Sequence, residues 1–284
     1  MSTVSQQESP VWFVTGCSSG FGREFVRQLL ADGCRVVASA RKVADLAEFA
    51  DHPAALVITL DVTDGGQIAA GVAAAEQRFG RIDVLVNNAG IGYFSAIEEG
   101  DEATIRRLFD INVFGLAAMT RAVLPGMRRQ KRGCIVNLSS IAGLRGAPSL
   151  GYYNASKFAV EGLSEALWQE VEPLGIKVML VEPSGFRTDF AGRSAAESAE
   201  RIGDYAQTAG ERRDKVRGSS GKQAGDPARL VRIVIDAVAS GHPPHRMPLG
   251  NAAIDGALEK IEQLRAEFLA GEARARARAA DFPL

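Results

Sequence analysis

Cysteine and histidine are both scarce, with three of each in 284 residues. Cys17, Cys34 and Cys134 are odd in number and scattered, which argues against a disulfide framework and fits a reducing cytoplasm. The histidines form no zinc-like grouping with them. His242 and His245 flank two prolines and read as loop residues, so no metal site is expected. Charge of one sign is missing as well. A formal net charge of −1 gives no reason to expect nucleic acid or an anionic membrane as a partner. No apolar run approaches the roughly 18 residues of a membrane span. Residues 1–10 have neither the basic nor the apolar region of a signal peptide and read as a short flexible tail. What is there, 46% hydrophobic and 24% charged residues, is the balance of a soluble globular protein with a sizeable core.

Short apolar runs alternate with helical stretches along the chain. Val11 to Thr15 reads as a buried strand. Gly16-Cys-Ser-Ser-Gly20-Phe-Gly22 follows, then an amphipathic helix with Phe25, Leu29 and Leu30 on one side. Strand, glycine-rich turn and helix form the setting of a dinucleotide fingerprint, in which the backbone approaches a pyrophosphate held at the helix N-terminus. The spacing differs from G-x-G-x-x-G, and a plain strand-to-helix turn is the competing reading. Residues 35–40 are the second strand, ending at Ala40 before Arg41-Lys42. An acidic residue about 20 positions past the glycines bonds the ribose hydroxyls of NAD, whereas an arginine nearby accommodates the 2′-phosphate of NADP. Arg41 therefore favours NADP(H), with NAD(H) the alternative if the two cations only open the next helix in solvent.

Further strands are expected at 55–60, closed by Asp61-Val62-Thr63, and at 82–86, before Asn87-Asn-Ala-Gly90. Two more stand at 133–138, before Ser139-Ser140, and at 177–181, before Glu182-Pro-Ser-Gly185. Helices are expected at 66–79, at 102–129 with Asn112 among its apolar residues, and through Tyr153 to about 173. This alternation predicts an α/β fold, a doubly wound parallel sheet of about seven strands with helices on both faces. Ligands bind beyond the carboxyl ends of such strands. Gly16, Arg41, Asp61, Asn88, Ser140 and Pro183 are thereby expected at one rim. From 189 to 225 the pattern is lost, which marks a functional lid or a disordered segment. Asp226-Pro227 reads as the cap and first turn of a helix to about 240. Residues 246–249 read as an edge strand carrying a proline, which closes a domain spanning 11–250. Residues 251–284 read as a helical extension with a solvated Ala-Arg tail.

Tyr153 and Lys157 lie four apart and share one helix face. A free tyrosine titrates near pH 10 and is a poor base at neutrality. A fixed ammonium nearby favours the phenolate, and a low-dielectric cleft strengthens that effect. The pair could then exchange a proton with an alcohol or a carbonyl. This spacing is common on helix surfaces; its company here is not.

Thr15-Gly-Cys-Ser-Ser-Gly-Phe-Gly22, Asp61-Val62, Asn87-Asn-Ala-Gly90, Asn112, Ser140 and Tyr153-x-x-x-Lys157 stand in the order and spacing of one family. The chain resembles the short-chain dehydrogenases/reductases over about residues 10–250. The resemblance implies a Rossmann-type fold and an NADP(H)-preferring oxidoreductase acting on a small-molecule carbonyl or secondary alcohol, in the ketone-reducing direction. It implies a homodimer or homotetramer built through helices near 112–129 and 154–172. Tyr153 would be the general acid/base, Ser140 would bond the substrate oxygen, and Asn112 would anchor a water. Lys157 would hold the nicotinamide ribose and depress the tyrosine pKa. Gly16, Ser19, Gly20, Phe21 and Gly22 would form the pyrophosphate turn, with Ser18 and Arg41 near the 2′-phosphate. Asp61 and Val62 would face the adenine, and Asn88, with Ala89 and Gly90 after it, the adenosine ribose region. Pro183, Gly185, Phe186 and Thr188 would line the nicotinamide. Where the family has Pro-Gly, this chain has Pro183-Ser184, with Gly185 next.

Tyr93, Phe94, Leu144, Arg145 and Phe190 are candidate walls of a mainly apolar substrate pocket. Two rival readings are a cofactor-binding regulator without turnover and a partner-binding module. The intact set of Asn112, Ser140, Tyr153 and Lys157 speaks against both.

Overall fold

Val11 to Val14 form a strand buried at all four positions, which requires cover on both faces of a sheet. The computed structural model describes residues 9–277, so of the expected tail only Ser9 and Pro10 fall among them. β1 (Val11–Val14) leads into α1 (Gly20–Ala31), then β2 (Arg35–Ala40) and β3 (Ala55–Thr59). α2 (Gly65–Phe79) returns to β4 (Val84–Asn87), followed by a short β5 (Gly92–Phe94). α3 (Glu102–Phe109) and α4 (Leu116–Gln130) lead to β6 (Gly133–Leu138), α5 (Gly151–Val171) and β7 (Ile176–Pro183). β8 (Ala195–Glu197), α6 (Glu211–Gly218), α7 (Pro227–Ala239), β9 (Arg246–Leu249) and α8 (Asn251–Ala277) complete the chain.

Seven strands pair in the order β3-β2-β1-β4-β6-β7-β9, every pair parallel. Alternate residues of each strand serve opposite cores. Trp12 and Val14 pack with Phe25, Leu29 and Val234 from α1 and α7. Val11 and Phe13 pack with Val72, Val123 and Leu167 from α2, α4 and α5. Helix ends follow the local chemistry. Asp64 caps α2 by accepting from the amides of Gly66 and Gln67, and Asp226 caps α7 ahead of Pro227. β9, with its Pro248, takes the sheet edge, where a missing N–H costs least.

Three features depart from the sequence reading. The helix expected over 102–129 is divided by a π-helical turn at Asp110–Gly115. The composite run Glu102–Gln130 also meets the length and hydropathy of a membrane span. Met119, Val123 and Met127 show the use of its apolar face, which packs on the sheet. The third departure is segment 189–225, which carries β8 and α6, and β8 pairs in parallel with β5. Polar bonds hold this segment. The Arg217 guanidinium donates to the carbonyls of Ala191 (3.1 Å) and Ala195 (2.7 Å) and bonds Glu197. The buried Glu99 carboxylate accepts from the amides of Ala96 (3.1 Å) and Ile202 (2.9 Å). Such bonds have no hydrophobic periodicity, so a pattern search passes over the segment.

Truncating Phe13, a fully buried side chain of the second core, is expected to cost about 3–5 kcal/mol. That is a large share of the roughly 5–15 kcal/mol typical of a domain. Equilibrium urea unfolding of Phe13→Ala measures it, and a loss below about 1 kcal/mol would show that the sheet does not depend on this contact.

Candidate active site

The turn after β1 is shaped by how closely its backbone packs. Gly16 has φ of +70°, a conformation costly for residues with a Cβ. A Cβ on Gly22 would stand 2.4 Å from the Gly16 carbonyl oxygen and 2.5 Å from Asn88 Nδ2. Asn88, expected at the ribose, uses its side chain to hold this turn. Its Nδ2 donates to the carbonyls of Thr15 (2.8 Å) and Gly16 (3.0 Å). Thr15 Oγ1 in turn accepts from the amides of Asn88 and Ala89, both at 3.0 Å.

Ser19 precedes α1 in an extended conformation, and its side chain makes no capping bond. The first amides of α1 therefore point outward with no side chain to satisfy them, a setting suited to an anion. Phe21 meets Phe186 edge-on at 5.5 Å, and a Cβ on Gly20 would stand 3.4 Å from Thr188. Residues far apart in sequence converge here.

The end of β2 supplies the cations. Ala40 is buried, and Arg41 and Lys42 are exposed. Burial raises the Asp61 carboxyl, but bonds from Thr63 and the Arg41 charge hold it below its ordinary value. Val62 lies buried beside Gly115. Cβ-free cradle, uncapped helix start and exposed guanidinium together fit a dinucleotide with its pyrophosphate on α1.

Tyr153 and Lys157 occupy the first two turns of α5, the helix expected to carry them, and both are buried. The Lys157 ammonium donates to the Leu138 carbonyl at 2.6 Å and lies 5.8 Å from the Tyr153 ring centre. Burial pushes Lys157 down to about 8, against the opposing charge of Glu161. Burial also raises the Tyr153 hydroxyl well above its ordinary value, opposed by a hydrogen bond with Ser140. Lys157 was expected to depress Tyr153. Desolvation outweighs that effect, and the phenol is held toward its protonated form.

Asn112 departs from its expected role too. Its Oδ1 accepts from the Ile91 amide (2.9 Å), while Nδ2 donates to the Ile91 carbonyl (2.9 Å) and Ser156 Oγ (3.2 Å). The side chain thus secures the loop after Gly90. Ser140 accepts from the Ala142 amide (3.1 Å) and donates to the Pro183 carbonyl (3.4 Å). Ser184 keeps a negative φ and bonds the Leu249 carbonyl at 3.0 Å, so serine fits where the family carries glycine.

The expected walls divide. Phe190 lies 5.0 Å from the Tyr153 ring. Tyr93 and Phe94 are buried in the same apolar cluster, whose other members include Leu150 and Ala195. Leu144 is half-buried at the end of the turn after Ser140. Arg145 is not part of this wall, because its guanidinium pairs with Glu259 of α8 at 2.8 Å. Leu150 and Ala195 escaped the sequence reading, since a single apolar residue in a short turn or strand carries no periodic signal.

Residues 10–199 match the family model described as short chain dehydrogenase. A 3-ketodihydrosphingosine reductase of Bacteroides thetaiotaomicron is 38% identical over 238 residues, 84% of this chain and 86% of that one. A solved short-chain dehydrogenase from Streptomyces avermitilis matches with a TM-score of 0.88 and 41% identity, covering 98% of this chain and all of that one. A Burkholderia phymatum short-chain dehydrogenase/reductase in complex with NAD matches with a TM-score of 0.79 and 26% identity, over 97% and 98% of the two chains.

Gly22→Ala is expected to weaken dinucleotide binding at least tenfold, because its Cβ enters space held by the Gly16 carbonyl and Asn88. Calorimetric titration on a variant with native circular dichroism tests this; unchanged affinity would separate the turn from the cofactor.

Proposed function

The chain belongs to the short-chain dehydrogenase/reductase family, NAD(P)-dependent oxidoreductases of CH–OH and C=O groups, and we propose that it reduces an apolar ketone with NADPH. The observation that carries this reading is Tyr153 buried with the Lys157 ammonium 5.8 Å from its ring centre, where burial holds the phenol toward its neutral form. When bound, the nicotinamide supplies the hydride. Tyr153 donates its proton to the carbonyl oxygen as the carbon is reduced, and Ser140 orients that oxygen. Lys157 stabilises the phenolate left behind. Phe190, Tyr93 and Phe94 exclude water around Tyr153 and favour an apolar substituent. The related 3-ketodihydrosphingosine reductase bears a name consistent with an aliphatic ketone. We further propose that this chemistry takes place in the cytoplasm.

NADPH preference rests on Ala40 and Arg41. An acid at the end of β2 would bond a ribose hydroxyl and repel a 2′-phosphate; Ala40 does neither. Arg41 offers a planar cation suited to phosphate, and we assign Lys42 and Ser18 as its helpers there. One charge-assisted bond is worth roughly 1.5–3 kcal/mol, which shifts preference about tenfold to a hundredfold.

Two measurements test these assignments. Ketones and aldehydes are screened with NADPH at the nicotinamide absorbance, and Tyr153→Phe is expected to lower kcat about 10²- to 10⁴-fold in a folded protein. Near-normal turnover in that variant would remove Tyr153 from the chemistry. Calorimetry is expected to give a lower Kd for NADPH than for NADH, and Ala40→Asp with Arg41→Ala to reverse the order. Equal affinities in the unmodified protein would sink the preference.

A further inference from the structure

Behind the site lies a cluster of charges that the proposed reaction does not use. Glu161 sits one turn after Lys157 on α5, and only 5% of it is exposed; Glu182, at the end of β7, is 1% exposed. Arg246, the first residue of β9, bridges them: its Nη1 bonds both Glu161 and Glu182, the latter at 2.7 Å. Nη2 reaches Glu165, and the guanidinium lies 5.8 Å from the Trp168 ring centre. The second Glu161 oxygen is bonded by Ser139 Oγ, from the residue next to Ser140.

A buried carboxylate one turn from a buried ammonium is costly unless something holds it. We propose that Glu161, clamped by Arg246, is a positioning residue that keeps Lys157 charged at the pH where the site works. The proposal rests on the reading of Lys157 as part of the active site and adds to it what maintains that charge.

The surrounding groups leave Glu161 as the anion nearest Lys157. On α5 the neighbours are Tyr153 and Glu161. From β6 and the turn after it come the Leu138 carbonyl and the Ser139 and Ser140 hydroxyls. Asn112, from the π-helical turn, is neutral. Glu182 from β7 pairs with Arg246 from β9, which also bonds Glu161. Burial, then the Glu161 charge, pushes the Glu182 carboxyl up to about 7 against Arg246. The Glu161 charge in turn raises Lys157 against the burial that lowers it.

The sign follows. A lysine whose folded pKa is depressed is charged below that value and neutral above it. Removing the Glu161 charge depresses it further, so charge is lost at lower pH. Lysines carrying ¹³C at the ε carbon report this by nuclear magnetic resonance without turnover, with Lys157→Met assigning the signal. The unmodified, cofactor-free protein is expected to titrate Lys157 near about 8. E161Q is expected to lower that midpoint by about one pH unit, with the alkaline limb of ketone reduction moving down alongside it. R246K, which keeps a cation on Glu161, is expected to retain the midpoint. E165Q, which alters the 52% exposed partner of the same guanidinium, is expected to leave it unchanged. E161D, which retracts the charge by one methylene, gives a smaller fall and stands in if E161Q does not fold. An unmoved Lys157 midpoint in folded E161Q, or in E161D where that stands in, overturns the proposal and makes the cluster a structural clasp. A shifted midpoint without reduction of any ketone overturns the proposed activity and supports this coupling.

Discussion

The central strands of the seven-stranded parallel sheet are covered on both faces and leave little wet surface along their length, so polar groups collect where the strands end. At the carboxyl rim the ladder stops and backbone groups need new partners. The chain meets that need with the side chains the chemistry uses. Thr15 Oγ1 satisfies the amides after β4, Asn88 Nδ2 the carbonyls after β1, and Lys157 Nζ the carbonyl at the end of β6. Holding the rim together and building the site are one act. This is the sense in which ligands bind at the strand ends of such sheets.

Burial sets the protonation states at this rim more strongly than the pairing does. Tyr153 and Lys157 are near neighbours, yet desolvation moves both toward their neutral forms. For the reduction proposed above, a neutral tyrosine is a useful resting state, and the ammonium then has to be charged as that proton leaves. A carboxylate one turn further along α5, backed by a cation from the last strand, opposes its discharge. The edge strand β9, remote in sequence from the glycine turn, thereby acts on the site through electrostatics.

The segment after β7 works through a different balance. Its contacts with the body include a three-residue strand pair, the bonds of Glu99 with Ile202 and Ser198, the Arg217 guanidinium over Phe94, and the apolar contact of Phe190 with Tyr153 and Phe94. Hydrogen bonds exchange readily with water and contribute about 1 kcal/mol net each.

Strands β2 and β6 were readable residue by residue, because a strand buried on both faces is a largely apolar run ended by turn residues, and the edge strand β9 was readable from its proline. The glycine turn, the Tyr153–Lys157 pair and the convergence of Gly16, Asp61, Asn88, Ser140 and Pro183 on one rim were readable too. Spacing along α5 and the parallel order decide them, and both are properties of the chain's own periodicity. Other features depended on partners distant in sequence. Asn88 and Asn112 turned to backbone groups, Arg145 to Glu259, and the π-helical turn to the Ile91 loop. Segment 189–225 found order through guanidinium and carboxylate bonds that leave no periodic trace. The direction in which Tyr153 and Lys157 shift is of the same kind, since desolvation depends on everything packed around a group. The sequence by itself determined which residues meet at the rim; only the tertiary structure decided which hydrogen bonds they make and which charges they carry, because burial and long-range pairing are properties of the packed chain.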